Sequence, residues 1–374
     1  MKMTLVLFWL CSGFFYFTFA SYRLRHFSIG DESKKWEESL DECKEDASSF
    51  VTVYDDEDAM FVWNYTKHID SSRWLGLHRN ILITKNTWSN GNPLMVNYSS
   101  VNVSDWTQEC EAIDNDTRRG FNCSERNYFM CYKGNNYTLV ENKKDWCQAL
   151  QYCRKHFTDL VSISNETQNK EVIAKGNGTT FWIGLRHDNW EWVDKGCSSF
   201  RKIDNTYNNY EDENCTALRR DSKVPDILYQ FGCYTGAHSF CSKGTVRIKV
   251  IGEKKTWEEA FDYCREHHTD LLWIRDRNDS YALDQWLNQS TVDGPFWIGL
   301  RQSRVFGFWI WTSESNNAVT WDNWKNGEAP QLPLSDHCAV INETDRTSDG
   351  GVWSDENCLV KHHFLCEEKI FFMN

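Results

Sequence analysis

Basic runs are missing from this chain. Lysine and arginine never cluster beyond two or three residues, and the formal net charge is −13. Nucleic acid and anionic membranes both require basic stripes, so neither is a partner. Beyond residue 20 no apolar run reaches the length of a membrane span, and Ile370-Phe371-Phe372-Met373 is far too short. Catalytic motifs are also absent. There is no Gly-X-Ser-X-Gly, His-Glu-X-X-His or phosphate-binding loop, and no reactive group has an activating neighbour in sequence. His267-His268 and His362-His363 do not make a metal site, because adjacent side chains diverge and no partner recurs at ligand spacing. Proline is scarce, with five in 374 residues.

What is present begins with residues 1–20. Lys2 precedes an apolar run from Leu5 to Phe19, and Thr18-Phe19-Ala20 ends in the small residue a signal peptidase favours. This reads as a signal peptide cleaved after Ala20, giving a secreted, extracellular product. The competing reading is an uncleaved signal-anchor, although these fifteen residues fall short of the ~20 that span a bilayer. Of fifteen cysteines, Cys11 leaves with the signal, and the other fourteen suit seven disulfides. Asn-X-Ser/Thr sequons stand at Asn64, Asn97, Asn102, Asn115, Asn122, Asn136, Asn165, Asn177, Asn214, Asn278, Asn288 and Asn342, a density that fits a glycosylated surface.

One pattern is written three times. Trp74-Leu75-Gly76-Leu77, Trp182-Ile183-Gly184-Leu185 and Trp297-Ile298-Gly299-Leu300 recur after 108 and 115 residues, a period suited to whole domains. Each is a short apolar run with one small residue and reads as a buried strand. Upstream of each lies an amphipathic helix: Trp36, Ser39, Leu40 and Cys43; Trp146, Ala149, Leu150 and Cys153; Trp257, Ala260, Phe261 and Cys264. Those i, i+3, i+4, i+7 positions share one face. Asp145 caps the second helix, and Thr256 with Glu259 forms a capping box on the third. A second, shorter helix comes next, clearest as Ala282, Leu283, Trp286 and Leu287. Each repeat closes on three cysteines: 110, 123 and 131; 215, 233 and 241; 338, 358 and 366. The helix cysteines lie 110 and 111 residues apart but the final cysteines 110 and 125, so the third repeat carries about fifteen extra residues, in its long loop. Only Cys131-Tyr132-Lys133-Gly134 and Cys241-Ser242-Lys243-Gly244 separate one core from the next, without a Pro- or Ser-rich linker, so the domains should sit close together. The boundaries are a signal peptide over 1–20, domains over 21–132, 133–242 and 243–367, and a tail over 368–374.

A Trp-X-X-Ala-X-X-X-Cys helix, a Trp-Ile-Gly-Leu strand and a Trp-X-Trp turn (Trp190-Glu191-Trp192, Trp309-Ile310-Trp311), together with nested cysteines, resemble the C-type lectin-like domain. The likeness covers roughly residues 22–367, three times over, and the chain is similar to a short secreted relative of the mannose-receptor group. The resemblance implies an α+β fold of three tandem modules, each with two helices, two small antiparallel sheets and a long ligand loop, stapled by disulfides. One pairing applied alike to every repeat joins Cys43–Cys131, Cys153–Cys241 and Cys264–Cys366 outside, with Cys110–Cys123, Cys215–Cys233 and Cys338–Cys358 inside. Cys147 and Cys197 occur only in the second repeat. They pair either with each other or with another chain, the former being the expectation.

The resemblance also implies where Ca²⁺ would sit. Family lectins leave part of its oxygen shell open to two sugar hydroxyls, using a Glu-Pro-Asn or Gln-Pro-Asp tripeptide, an acid two before the third cysteine, and Trp-Asn-Asp. The first repeat offers Gln108 and Arg118-Arg119-Gly120 instead. The second keeps Glu213 but has Leu228-Tyr229-Gln230. Only the third retains a partial set: Ala329-Pro330-Gln331, Asp336 and Trp353-Ser354-Asp355. Glu328 lies one residue early, since only the residue directly before Pro330 is positioned by a cis peptide in the family. Candidate ligand-binding residues are therefore Gln331, Asp336, Ser354 and Asp355, and candidate calcium ligands are Glu328, Asp336 and Asp355. The expectation is a non-enzymatic, secreted recognition protein of carbohydrate-binding class with a degenerate calcium site in the third domain. The alternative is a calcium-independent binder of extracellular protein ligands through the same loop surface. Trp309, Trp311, Trp321 and Trp324 read as the packed floor of that loop, with sugar stacking the second option.

Overall fold

The computed structural model describes residues 22–79, 87–92, 94, 109–187, 190–204, 214–219, 227–313, 319–331, 333, 336–347 and 350–373. The proposed signal peptide, Gln108 and Glu213 lie outside them.

Among the described residues there are six helices, two in each repeat: α1 (Trp36–Glu45), α2 (Asp56–Thr66), α3 (Trp146–His156), α4 (Glu166–Gly176), α5 (Trp257–His267) and α6 (Arg277–Leu287). Of these, α1, α3, α5 and α6 form where the apolar spacing places them. Asp145 accepts from the Gln148 N–H at 2.9 Å, and Glu259 returns to the Thr256 N–H at 3.0 Å, completing the capping box. The repeated tryptophans then lock helix to strand. The helix indoles of Trp36, Trp146 and Trp257 donate to the carbonyls of Leu75, Ile183 and Ile298. In return the strand indoles of Trp74, Trp182 and Trp297 donate to Lys34, Lys144 and Lys255, just ahead of each helix. The strand glycines are required by close approach: a Cβ on Gly299 would lie 3.1 Å from the Leu271 carbonyl oxygen. Each front half of a repeat is thus a self-contained piece, a helix pair on one buried strand.

The third repeat closes on itself. Its sheet runs Val246–Lys255, His362–Lys369, Phe296–Gln302, His337–Thr347, Gly350–Asn357, with Cys264–Cys366 and Cys338–Cys358 as staples.

The first two repeats instead exchange their rear halves. Strand Arg73–Arg79 of the first repeat pairs with Trp190–Trp192, Cys215–Leu218 and Ala237–Lys243 of the second. Strand Phe181–His187 of the second pairs with Thr87–Trp88, Glu109–Asp114 and Asn127–Lys133 of the first. One unit therefore combines residues 22–79 with 190–243, and the other is built from 87–187. This corrects two expected disulfides. Cys43 bonds Cys241, not Cys131, and Cys153 bonds Cys131, not Cys241, with Cα separations of 5.6 and 5.3 Å. The physical reason is degeneracy: both rear halves present the same strand and cysteine to the same helix face, so either can complete either front half. The chain decides between them at Lys133-Gly134-Asn135-Asn136. Gly134 has φ +59° and Lys133 pairs with Asn136, a two-residue hairpin that turns the rear strand of repeat one directly into the first strand of repeat two. Cys110–Cys123 and Cys215–Cys233 join the cysteines the repeat pattern joins, and the extra pair Cys147 and Cys197 bond to each other. Cys147–Cys197 now bridges the two exchanged units.

The unit that combines 22–79 with 190–243 shares a core with the third. Phe61 of α2 stacks on Trp286 of α6 with centroids 4.1 Å apart, and the Gln285 amide both donates to and accepts from the Phe27 backbone at 2.9 Å. Around this lies a buried ionic network: Arg25 and Arg247 on Asp58 (3.1 and 3.0 Å), Arg247 and Lys249 on Asp55 (3.0 and 2.7 Å), and Arg23 on Asp279 and Glu367 (3.1 and 2.7 Å). Arg247 also contacts Glu368, whose carboxyl, though desolvated, is held down at about 2 chiefly by that guanidinium. The last residues pack back as well, with the Cys197 N–H donating to Phe371 and the Met373 N–H to Lys195.

Candidate ligand-binding site

In the third unit, strand Trp309–Trp311 pairs with Phe296–Gln302 and carries Trp309 and Trp311 inward. Trp324 meets Trp353 across an isolated bridge, the Lys325 N–H donates to the Trp353 carbonyl, and the Trp353 N–H donates to Asn323. The Asn323 amide reaches the carbonyls of Gly350 and Gly351 at 3.2 and 3.1 Å, and the Trp309 indole donates to Pro330 at 3.2 Å. Trp309, Trp311, Trp324 and Trp353 are buried and in ring contact with one another. They form the floor of the loop, with Trp321 partly buried against them. Above that floor Asp322, Lys325, Asn326, Glu328, Ala329 and Gln331 are exposed. A polar surface held still by buried aromatics suits recognition.

The candidate calcium ligands do not converge on one point. Asp336 is taken by arginine: Arg304 Nε donates to its Oδ1 at 2.7 Å, and an Arg301 guanidinium nitrogen lies 3.7 Å from the same oxygen. Glu258 binds a different nitrogen of each guanidinium, at 2.6 Å to Arg304 and 3.4 Å to Arg301. Asp355 faces Ala339 across the hairpin, with its Oδ2 3.4 Å from His337 Nδ1. Ser354 stands opposite Val340. Glu328 and Gln331 are out on the exposed loop. The peptide before Pro330 is trans, Gly294-Pro295 being the cis bond among the described residues. Among those residues no group of three or more His, Cys, Asp or Glu is disposed to hold a metal. The donor set therefore does not fit Ca²⁺, which needs six to eight oxygens and tolerates no guanidinium among them.

In the 87–187 unit the arginine at the Trp-Asn-Asp position is likewise taken by a carboxylate. Arg118 donates to buried Glu111 at 2.8 Å, and Glu111 meets His187 at 2.7 Å on its other oxygen. Leu228, Tyr229 and Gln230 lie in a strand paired with Cys215–Leu218. The arginine partners were missed from sequence. Arg301 directly succeeds the strand motif and Arg304 opens the next turn, but neither points to Asp336 without the fold.

Fold and loop together define a class of disulfide-stapled α+β modules that present a pinned surface loop to a ligand. The chain belongs to the C-type lectin family: the model for the lectin C-type domain matches residues 32–133, 142–243 and 253–368. Those matches are colinear in sequence, and the first two cross the exchange seen in space. C-type lectin 1 of Hydrophis hardwickii is 31% identical over 140 residues, 36% of this chain and 82% of that protein. Two members of the mannose-receptor group match more of the chain. Lymphocyte antigen 75 of Homo sapiens is 22% identical over 280 residues, and the secretory phospholipase A2 receptor of Bos taurus is 24% identical over 286. These alignments take in 64% and 66% of this chain, but only 15% and 19% of the two receptors. Human lithostathine aligns over 33% of this chain and 92% of its own, at 23% identity and a TM-score of 0.29. No helix among the described residues is long and apolar enough to cross a membrane.

Proposed function

We propose that this is a secreted, glycosylated, non-enzymatic recognition protein that binds an extracellular protein ligand without calcium, through the loop over residues 321–331 and the neighbouring Ser354 and Asp355. The observation that carries this is the ion pair of Asp336. Its Oδ1 accepts from Arg304 at 2.7 Å, where a calcium-dependent lectin needs a free carboxylate. The exposed loop remains pinned by Trp309, Trp324 and Trp353 with no metal required.

A glycan ligand is the second reading, favoured by the family and by Ser354 and Asp355, which keep their places on strand Gly350–Asn357. Calorimetric titration of the full secreted chain with CaCl₂ separates the two. The expected result is no saturable heat, no retention on mannose or galactose resin with Ca²⁺, and protein-ligand binding that survives chelator. Saturable calcium binding abolished by Asp355→Ala, with sugar retention lost in parallel, would overturn it.

A further inference from the structure

The third unit carries an exposed apolar surface that the loop above does not use. Val305, Phe306 and Phe308 are 73%, 73% and 57% exposed at the tip between strands Phe296–Gln302 and Trp309–Trp311. The tip is built to hold them out. The Ser303 N–H donates to Phe308 and the Gly307 N–H to Ser303, while Ser303 Oγ accepts from the Phe306 N–H at 3.2 Å. Gly307 supplies the positive φ of +77° that the reversal needs. Phe306 and Phe308 stack nearly parallel, 9° apart with centroids at 5.6 Å. Leu359 and Val360, 72% and 38% exposed, project from a second turn.

The two turns meet around one charged cluster. Arg304, next to Val305, bonds Asp336, whose carbonyl accepts from the Cys358 N–H beside Leu359. Cys358 in turn accepts from the Trp257 N–H, adjacent to Glu258. No sequon lies in either turn.

We propose that this surface is the two-fold contact of a homodimer, its occupant being a second copy of the chain. Charge complementarity selects that occupant. Glu258 and Asp336 balance Arg301 and Arg304, so a chain of net charge −13 is locally neutral here. A patch holding both signs beside apolar groups is complementary to itself, as a two-fold interface demands. Arg304 of one copy would face Asp336 or Glu258 of the other, with Phe306 and Leu359 closing around them. Insertion into lipid would instead strip water from four charges for no new partner. A surface this small lies at the low end of stable interfaces, so the dimer should have a dissociation constant of about 10 µM.

Sedimentation of the full chain tests it. The expected result is a shift from monomer to dimer between about 1 and 100 µM, weakened at least tenfold by Phe306→Ser with Phe308→Ser, and also by Leu359→Ser on the other turn. Near-ultraviolet circular dichroism confirms that each variant is folded. Charge reversal tests the pairing itself. Arg304→Glu and Asp336→Arg each weaken self-association, and mixing the two variants restores it as a heterodimer. A monomer throughout that range overturns the proposal, as does a dimer indifferent to Phe306, Phe308 and Leu359. So does a monomer that sediments with phosphatidylcholine vesicles, which would assign the patch to lipid.

Discussion

Lys133-Gly134 and Lys243-Gly244 hold equivalent places at the ends of the first and second repeats, yet the chain turns back at one and runs on at the other. At the first, Lys133 pairs with Asn136 and the chain makes a hairpin inside the 87–187 unit. At the second, Val246 enters a new sheet opposite Lys369, and Gly244 crosses Leu24 so closely that a Cβ would lie 2.4 Å from its carbonyl oxygen. The same dipeptide therefore serves a turn in one case and a crossing in the other. The residues after the glycine make the difference. Asn135-Asn136 completes a two-residue turn, whereas Thr245-Val246 leads into the first strand of a different sheet. One joint is held by its own backbone, the other by the buried network and the Phe61–Trp286 stack.

The largest way to break the comparison is at the network. Asp58→Ala leaves Arg25 and Arg247 buried without their shared carboxylate, and should cost about 3–5 kcal/mol. Urea unfolding monitored by tryptophan fluorescence would read this as an early transition of the units that meet at the second joint. The 87–187 unit should keep its own midpoint. Gly244→Ala comes next, combining a positive φ of +107° with the contact at Leu24, at about 2–4 kcal/mol in the same assay.

A third test lies inside the exchanged pair. Burial pushes the Asp145 carboxyl up to about 6, against the opposing hydrogen bond from the Gln148 N–H. A carboxyl raised in the folded state favours folding fully below its unfolded value of 3.8, and that contribution is lost as pH rises toward 6. Asn caps a helix as well as Asp does. Asp145→Asn should therefore match the wild type near pH 3.8 and exceed it by at most about 3 kcal/mol at pH 7, where Asp145 is charged. Equal pH profiles for the two proteins would show that the carboxyl is not raised.

Much of each module was legible in the sequence, because local chemistry repeats. The Thr256–Glu259 box, the Trp-to-Cys helix face and the Ala282–Leu287 stripe all formed where their spacing placed them. Pairing between repeats was not legible. Cys43 and Cys153 stand 110 residues apart, as do Cys131 and Cys241, so spacing cannot tell one rear half from the other. The signal that could have decided it was Gly134-Asn135 between two β-rich runs, which reads as a domain joint although it has hairpin chemistry. At the site, the positions of Asp336 and Asp355 were legible and their partners were not. An arginine 32 residues away in sequence becomes a neighbour only once the strands are paired.

The smallest expected effect bears most directly on the exchange. A Cβ at Gly134 would meet nothing within 4 Å, so Gly134→Ala carries only the cost of φ +59°, about 1–2 kcal/mol. That cost falls on the hairpin and not on any contact between halves. The variant should consequently weaken the exchanged arrangement relative to a colinear one in which residues 133–136 need not turn. Mass spectrometry of non-reduced digests measures this directly. The wild type should give peptides joined through Cys43–Cys241 and Cys131–Cys153, and Gly134→Ala should raise the share joined through Cys43–Cys131 and Cys153–Cys241. If the wild type already yields mainly the colinear pairs, the hairpin does not direct the fold and the two joints are alike after all.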